Sequence, residues 1–115
     1  MDNPKQITIP RREDIPENDT WDLSKLYPTD EAWEKDLLVF SDRIPEIESL
    51  RGSLGSSAEA LKKCLDVTTH SERMAERLGY YAHLRLAEDG GNNTAQDRYA
   101  RYMAVASKME AAASY

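Results

Sequence analysis

The sequence predicts an all-α fold, an antiparallel helical hairpin with an additional, kinked N-terminal helix. Three observations predict it. Three stretches carry apolar residues in steps of three and four, the spacing of one helix face. A polar turn, Glu88 to Asn93 with Gly90-Gly91 at its centre, separates the last two stretches. Glycine and proline number five each, and most lie outside the periodic stretches, where they act as punctuation.

Residues 1–28 read as an extended arm with a short anchoring turn. Pro4, Pro10 and Pro16 disfavour helix through the first part. The segment from Thr20 to Pro28 then gathers Trp21, Leu23, Leu26 and Tyr27. Asp22 is placed to cap a single turn over Leu23 to Tyr27, and Pro28 stops it. Trp21, Leu23 and Leu26 are expected to pin the arm to the helical body.

Residues 29–115 form the three-helix region. The first helix covers about 29–51 and opens at Thr29 or Asp30, with Asp30 and Glu31 at the positive end of the helix dipole. Its apolar stripe is Trp33, Leu37, Phe40, Ile44, Ile47 and Leu50. Pro45 removes one backbone donor, but the stripe continues in phase beyond it, which predicts a kink and not an end. Gly52 and Gly55 close the helix. The second helix covers about 57–88, with Ser56-x-x-Glu59 as its capping box. Leu61, Leu65, Thr68, Ala75, Leu78 and Ala82 are its expected buried side. Thr69-x-x-Glu72 leaves open a break near residue 70, with one long helix preferred. The third helix covers about 94–115, from Thr94, with the stripe Tyr99, Tyr102, Ala106, Met109 and Ala113. It reaches Tyr115 without Gly, Pro or a capping residue. Helices commonly close with such a stop, so this region is expected to be a fragment of a longer helical polypeptide.

The 115 residues suit one domain with one modest core. With 31% charged and 40% hydrophobic residues, the composition fits a soluble helical protein and not a disordered one. The net charge of -6 repels phosphate backbones, so nucleic acid is not an expected partner. Seven Asp or Glu face three Lys or Arg between Thr29 and Arg51, read as a solvated face before a cation-binding surface. Cys64 is alone, which rules out an internal disulfide; it reads as a core or boundary residue. No apolar run approaches the ~20 residues of a membrane span, and Met1-Asp2-Asn3-Pro4 lacks the apolar centre of a signal peptide. A cytoplasmic location is the default.

Five features could carry chemistry. His70 and His83 are the only histidines, and on one continuous helix they point about 140° apart. A zinc peptidase helix needs His-Glu-x-x-His, which sets two ligands on one face; His70 is followed by Ser71, Glu72, Arg73 and Met74. A calcium loop counted from Asp89 would need Gly and Glu where Thr94 and Ala100 stand. Gly90-Gly91 before a helix could hold an anion, but no strand precedes it and no Lys follows, so plain turn chemistry is preferred. Tyr80, Tyr81, Tyr99 and Tyr102 flank the turn, as packing before a stacking patch. Arg73, Arg77 and Arg85 alternate with Glu72, Glu76 and Glu88 as a solvated charged face. No catalytic, cofactor-binding or metal-binding residue is expected in this chain.

One ordered set of segments carries a resemblance. Arg12 to Leu23, containing Thr20-Trp21-Asp22-Leu23, and Leu26 to Glu34, containing Tyr27-Pro28-Thr29, resemble the opening of the oligoendopeptidase F family of zinc metallopeptidases. Gly52-Ser53-Leu54, Ser57 to Leu61 and Tyr81 to Arg85 fit the same family in the same order, so the similarity covers about residues 11 to 115. The resemblance implies a long, mostly helical cytoplasmic enzyme that cuts short peptides, with its zinc motif far downstream. No position here matches that motif, so no catalytic residue carries over. This chain would be the N-terminal helical wall of a substrate channel, with the remainder of the peptidase as its partner, zinc as the parent's cofactor and peptide as the parent's substrate. The alternative is a free-standing helical interaction module with no enzymatic role. On the first reading, three helices taken from a larger enzyme leave apolar surface uncovered, with Trp21, Trp33, Phe40 and Met109 as candidates, so a dimer or higher homo-oligomer of the fragment is expected, packed through the third helix.

Overall fold

Thr29 opens the helical body of the computed structural model, which describes residues 9–115: its hydroxyl accepts the Ala32 N–H at 3.1 Å. That cap starts α1 (Asp30–Asp42), which is followed by α2 (Ile44–Ser49), α3 (Ala58–Glu88) and α4 (Asn93–Ala112). Ahead of them lie two 3-10 turns, Arg12–Asp14 and Glu17–Asp19. No strand occurs among the described residues, and the architecture is all-α. The part of the expected arm over residues 1–8 lies outside the described residues.

The expected kink is the one-residue break at Arg43 between α1 and α2. Pro45 has no N–H for the Ser41 carbonyl and its ring crowds that turn. The chain tightens there, and Arg43 N–H bonds back to the Phe40 carbonyl at 3.2 Å. The apolar stripe nevertheless stays in phase: Trp33, Leu37, Phe40, Ile47 and Leu50 are buried and Ile44 is half-buried. Gly52 then takes a φ of 82°, a left-handed value that glycine adopts at no steric cost.

α3 runs unbroken through residue 70. The packing of Ser71, Met74 and Leu78 on one side carries it past the internal capping signal at Thr69. Its cap is Ser57, whose hydroxyl accepts the Ala60 N–H at 3.0 Å, and not the expected Ser56, whose hydroxyl donates to the Ser53 carbonyl at 2.7 Å. Likewise α4 is capped by Asn92, accepting from Ala95 N–H at 3.1 Å, one turn position earlier than a start at Thr94. α3 and α4 pack against each other as the hairpin, and α1 and α2 lie against both.

Trp33, Tyr81, Phe40, Ile47 and Leu78 are the fully buried centre. The indole N–H of Trp33 donates to the Leu78 carbonyl at 3.0 Å, tying α1 to α3. Two expectations about the core need correction. Trp33, Phe40 and Met109, candidates for uncovered surface, are buried, because α3 and α4 close over α1. Leu61 and Leu65, expected in the core, are exposed. α3 has 31 residues and α4 has 20, so α4 leaves the first turns of α3 uncovered on that side. Cys64, between the two leucines in sequence, is the buried residue there, with Tyr115 beside it.

The anchoring turn also differs in its anchor. Trp21 is 59% exposed, whereas Leu23 and Tyr27 are buried. Asp22 Oδ1 accepts the Ser24 N–H at 3.0 Å, and the turn it starts swings Leu23 and Tyr27 to one side and Trp21 to the other. Tyr27 donates to Asp36 and meets Tyr81 edge-on at 5.4 Å between centroids. Arg77 closes the seam, donating to the Leu26 carbonyl at 2.9 Å while its guanidinium lies over the Tyr27 ring.

Candidate functional site

Among the concave surfaces of the described residues are a polar one and a largely apolar one. The polar cavity, of about 370 Å³, lies at the turn end of the hairpin. Asp30 comes from the first turn of α1, Arg85 and Glu88 from the last turns of α3, Arg98 from α4 and Arg12 from the first 3-10 turn. Arg98 reaches Asp30 at 3.1 Å, Arg85 reaches Glu88 at 3.2 Å, and Arg12 reaches the other Glu88 oxygen at 3.1 Å. Tyr81 donates its hydroxyl to Asp30. Burial, reinforced by that hydrogen bond to a carboxylate, holds the Tyr81 phenol above its ordinary pKa. Asp30 and Glu88 are each held by arginine, and the remaining carboxylate of the lining, Asp89, accepts the Gly91 N–H at 3.2 Å. The cluster is a knot that ties the arm and three helices together.

A second tie runs along the same side. Arg101 grips Glu34 with both terminal nitrogens and bonds Asp97 at 3.0 Å. The Arg101 hydrogen bond holds the Glu34 carboxyl below its ordinary range. Arg98 and Arg101 both set their guanidinium groups against the Trp33 ring, at 5.8 and 5.7 Å. Arg85 therefore belongs to a half-buried network and not to the solvated face expected of it, and Arg77 clamps a turn. Arg98 lies outside every residue set that the sequence pattern singles out. Its signal was its phase: Ala95, Arg98, Tyr102, Val105, Met109 and Ala112 form a stripe in steps of three and four, with one cation inside it.

The second surface is a groove of about 330 Å³ between α3 and α4. Phe40 and Ile47 floor it, and Ala75, Ala106 and Met109 wall it. Glu72, Glu76 and Glu110 stand exposed on its rim. Ser71 is buried, yet its hydroxyl, within the groove lining, has no hydrogen-bond partner. Tyr102 bounds one end. Its ring lies so close to Gly79 that a Cβ there would sit 2.7 Å from the phenol oxygen.

The residues searched for chemistry stay apart. His70 and His83 are both exposed, and His83 rests near Tyr99. Cys64 is buried and free, with Sγ 4.0 Å from the Thr68 hydroxyl. The four tyrosines divide: Tyr81 is core, Tyr80 faces solvent, and Tyr99 and Tyr102 are half-buried neighbours on α4. Among the described residues, no three His, Cys, Asp or Glu side chains gather as a metal-binding set. No helix there is long and apolar enough to cross a membrane.

What the frame belongs to follows from its relatives. The Bacillus subtilis protein Oligopeptidase PepF is 36% identical over 92 residues, which is 77% of this chain and 13% of that protein. The plasmid-encoded Oligoendopeptidase F of Lactococcus lactis subsp. cremoris is 30% identical over 99 residues, 85% of this chain and 16% of that protein. Over most of its length this chain is similar to members of the oligoendopeptidase F family. The Group B oligopeptidase PepB of Streptococcus agalactiae adds 27% identity over 100 residues, 87% of this chain and 16% of its own length. The chain thus spans between 13% and 16% of the length of these relatives. No family profile matches the chain, and no solved structure matches it. The segments that first carried the oligoendopeptidase F resemblance, Thr20 to Leu23 and Leu26 to Glu34, are the anchoring turn and the start of α1.

Proposed function

We propose that this chain is the non-catalytic N-terminal helical segment of a zinc-dependent oligopeptidase, and that it forms part of the wall around the substrate channel. The match to oligoendopeptidases over most of the chain, yet over 13–16% of those proteins, is the observation that carries this reading. Rigidity supports the wall role. A channel that admits only short, unstructured peptides needs walls that do not yield, and here three helices are cross-tied by Arg98 to Asp30, Arg101 to Glu34 and Trp33 to Leu78. Zinc would activate water for attack on the peptide bond. The residues present do not fit that ion: both histidines are exposed, and among the described residues no three His, Cys, Asp or Glu side chains gather around a common point. In this reading the zinc ligands and the general base lie in the remainder of a longer cytoplasmic polypeptide, and no catalytic step is assigned to this chain.

A chimera tests the reading. The matching segment of the Bacillus subtilis Oligopeptidase PepF is replaced by this chain, and cleavage of one short and one long quenched fluorescent peptide is followed. The chimera should cleave the short peptide in a chelator-sensitive way, and the isolated chain should cleave neither peptide and hold no zinc through dialysis. In the folded chimera, Trp33→Ala with Phe40→Ala should raise the long-to-short rate ratio. An unchanged ratio, or equal loss on both peptides, would reduce the segment to scaffold. Cleavage by the isolated chain would overturn the proposal entirely.

A further inference from the structure

We propose that the α3–α4 groove docks an amphipathic helix whose apolar stripe is bordered by lysine or arginine. The inference stands independently of the peptidase reading, since it rests on this chain's own surface.

Shape is the first support. The groove runs beside residues 68–76 of α3, about 12 Å at 1.5 Å per residue, the length of two helical turns. Helix-in-groove recognition uses anchors at i, i+3 or i+4, and i+7, which fall within that length. Its volume of about 330 Å³ matches a few inserted side chains and not a folded loop.

Charge is the second. Glu72 and Glu76 stand on the α3 rim and Glu110 on the α4 rim, and no Lys or Arg lines the groove. None of the three pairs with a cation among the described residues, whereas Asp30, Glu34, Glu88 and Asp97 all do. An apolar floor between two carboxylate rims fits a stripe bordered by cations on both sides. A second copy of this chain fits less well, because it brings a net charge of -6 to an already acidic face.

Ser71 is the third. A buried hydroxyl without a partner costs free energy, and native structures rarely leave one so. The Ser71 hydroxyl lies in the groove lining, where a docked side chain with a polar end would satisfy it. Leu65 and Met103 are exposed, and each lies two helical turns along from a rim residue, Glu72 and Glu110, so they would extend the contact along those helix faces.

The test uses the intact chain and a labelled Leu/Lys peptide, ~14 residues long with leucines at helical spacing. Fluorescence anisotropy reads binding, and a Leu/Glu peptide of the same pattern is the counter-probe. The chain should bind the Leu/Lys peptide and not the Leu/Glu one. Glu72→Lys with Glu110→Lys should weaken binding by roughly tenfold or more, since like charges then face each other. Glu13→Lys with Glu17→Lys makes the same charge change on the arm, which meets the hairpin at its turn end and lines no part of the groove, and should weaken it by less than about threefold because solvent and salt screen charges at that range. Ala75→Phe, which fills the groove without altering charge, should also abolish binding while helicity is retained. Equal weakening by the two charge pairs would overturn the proposal, because attraction would then be a property of the whole acidic surface. So would undiminished binding by folded Ala75→Phe, or no binding of the Leu/Lys peptide by the unaltered chain. A dimer in sedimentation that Ala75→Phe dissociates would also overturn it, and would assign the groove to a second copy.

Discussion

Removing the Trp33 side chain should cost this fold more than any other single truncation. Trp33 is fully buried, its indole N–H donates to the Leu78 carbonyl at 3.0 Å, and Arg98 and Arg101 lie against its ring. Trp→Ala at a buried site costs ~3–5 kcal/mol. Unfolding entropy near 60 °C is about 2.1 cal/mol/K per residue, or roughly 0.24 kcal/mol/K for 115 residues, so 1 kcal/mol moves Tm by about 4 °C. Trp33→Ala should therefore lower Tm by ~12–20 °C. Trp33→Phe keeps most of the volume and loses the indole hydrogen bond. At ~0.5–1.5 kcal/mol for the bond alone, plus a small void, its Tm should fall by at least about 2–6 °C. Trp21→Ala is the control. That residue is 59% exposed, and surface changes stay within ~0.5 kcal/mol, or about 2 °C. Calorimetry measures all three, and fluorescence checks the assignment, since Trp33→Phe should leave only the red-shifted emission of Trp21. A drop below about 4 °C for Trp33→Ala, or an equal drop for Trp21→Ala, would refute the reasoning.

Three further outcomes are expected. Gly79→Ala should destabilise the chain although Ala favours helix by ~1 kcal/mol, because the new Cβ would sit 2.7 Å from the Tyr102 oxygen and 2.8 Å from Cζ; with Tyr102→Ala present, the same change should become stabilising, and additive effects in chemical denaturation would count against the contact. Glu34 is held below its ordinary pKa by Arg101, so its contribution is complete above the ordinary glutamate range and is lost as pH falls through the folded value; Glu34→Gln should flatten the acid side of a stability–pH curve, and an unchanged slope would deny the linkage. Tyr27 is pushed the other way, by burial and then by its bond to Asp36, so the neutral phenol stabilises fully below its ordinary pKa and the contribution fades as pH rises above about 10; Tyr27→Phe should weaken alkaline destabilisation, and an identical alkaline limb would contradict it.

The helices were legible because burial along a helix is set by spacing. Trp33, Leu37, Phe40, Ile47 and Leu50 could be placed on one face without knowing what covers them, and they are buried as a set. The kink was legible for a similar reason, since proline acts on its own turn. Caps were legible only to within a position: Ser56 and Ser57 are chemically equal, and the local fold after Gly55 decides that Ser57 accepts the Ala60 N–H. Trp21 and Tyr27 were exchanged because an irregular segment has no period. There, which aromatic is buried depends on which side of the body the turn meets. Leu61 and Leu65 failed for a length reason, visible only once α3 and α4 are laid side by side.

Charge shows most sharply what a sequence withholds. The acids of the first helix read as a solvated face, and three of them are not: Asp36 accepts from Tyr27, and two more pair with α4. Asp30 is taken by Arg98 and Glu34 by Arg101, a residue 67 positions away. No local pattern foretells such pairs, because the two helices are brought together by their apolar stripes and the charges follow. Once those pairs are formed, the acid surplus is redistributed. The carboxylates used in the knot cancel arginines, whereas Glu72, Glu76 and Glu110 keep their charge around an apolar floor. The net charge of -6 therefore does not describe the surface evenly. Part of it is focused on one groove that four helices create jointly, and focused charge beside apolar surface selects a partner in a way that spread charge does not.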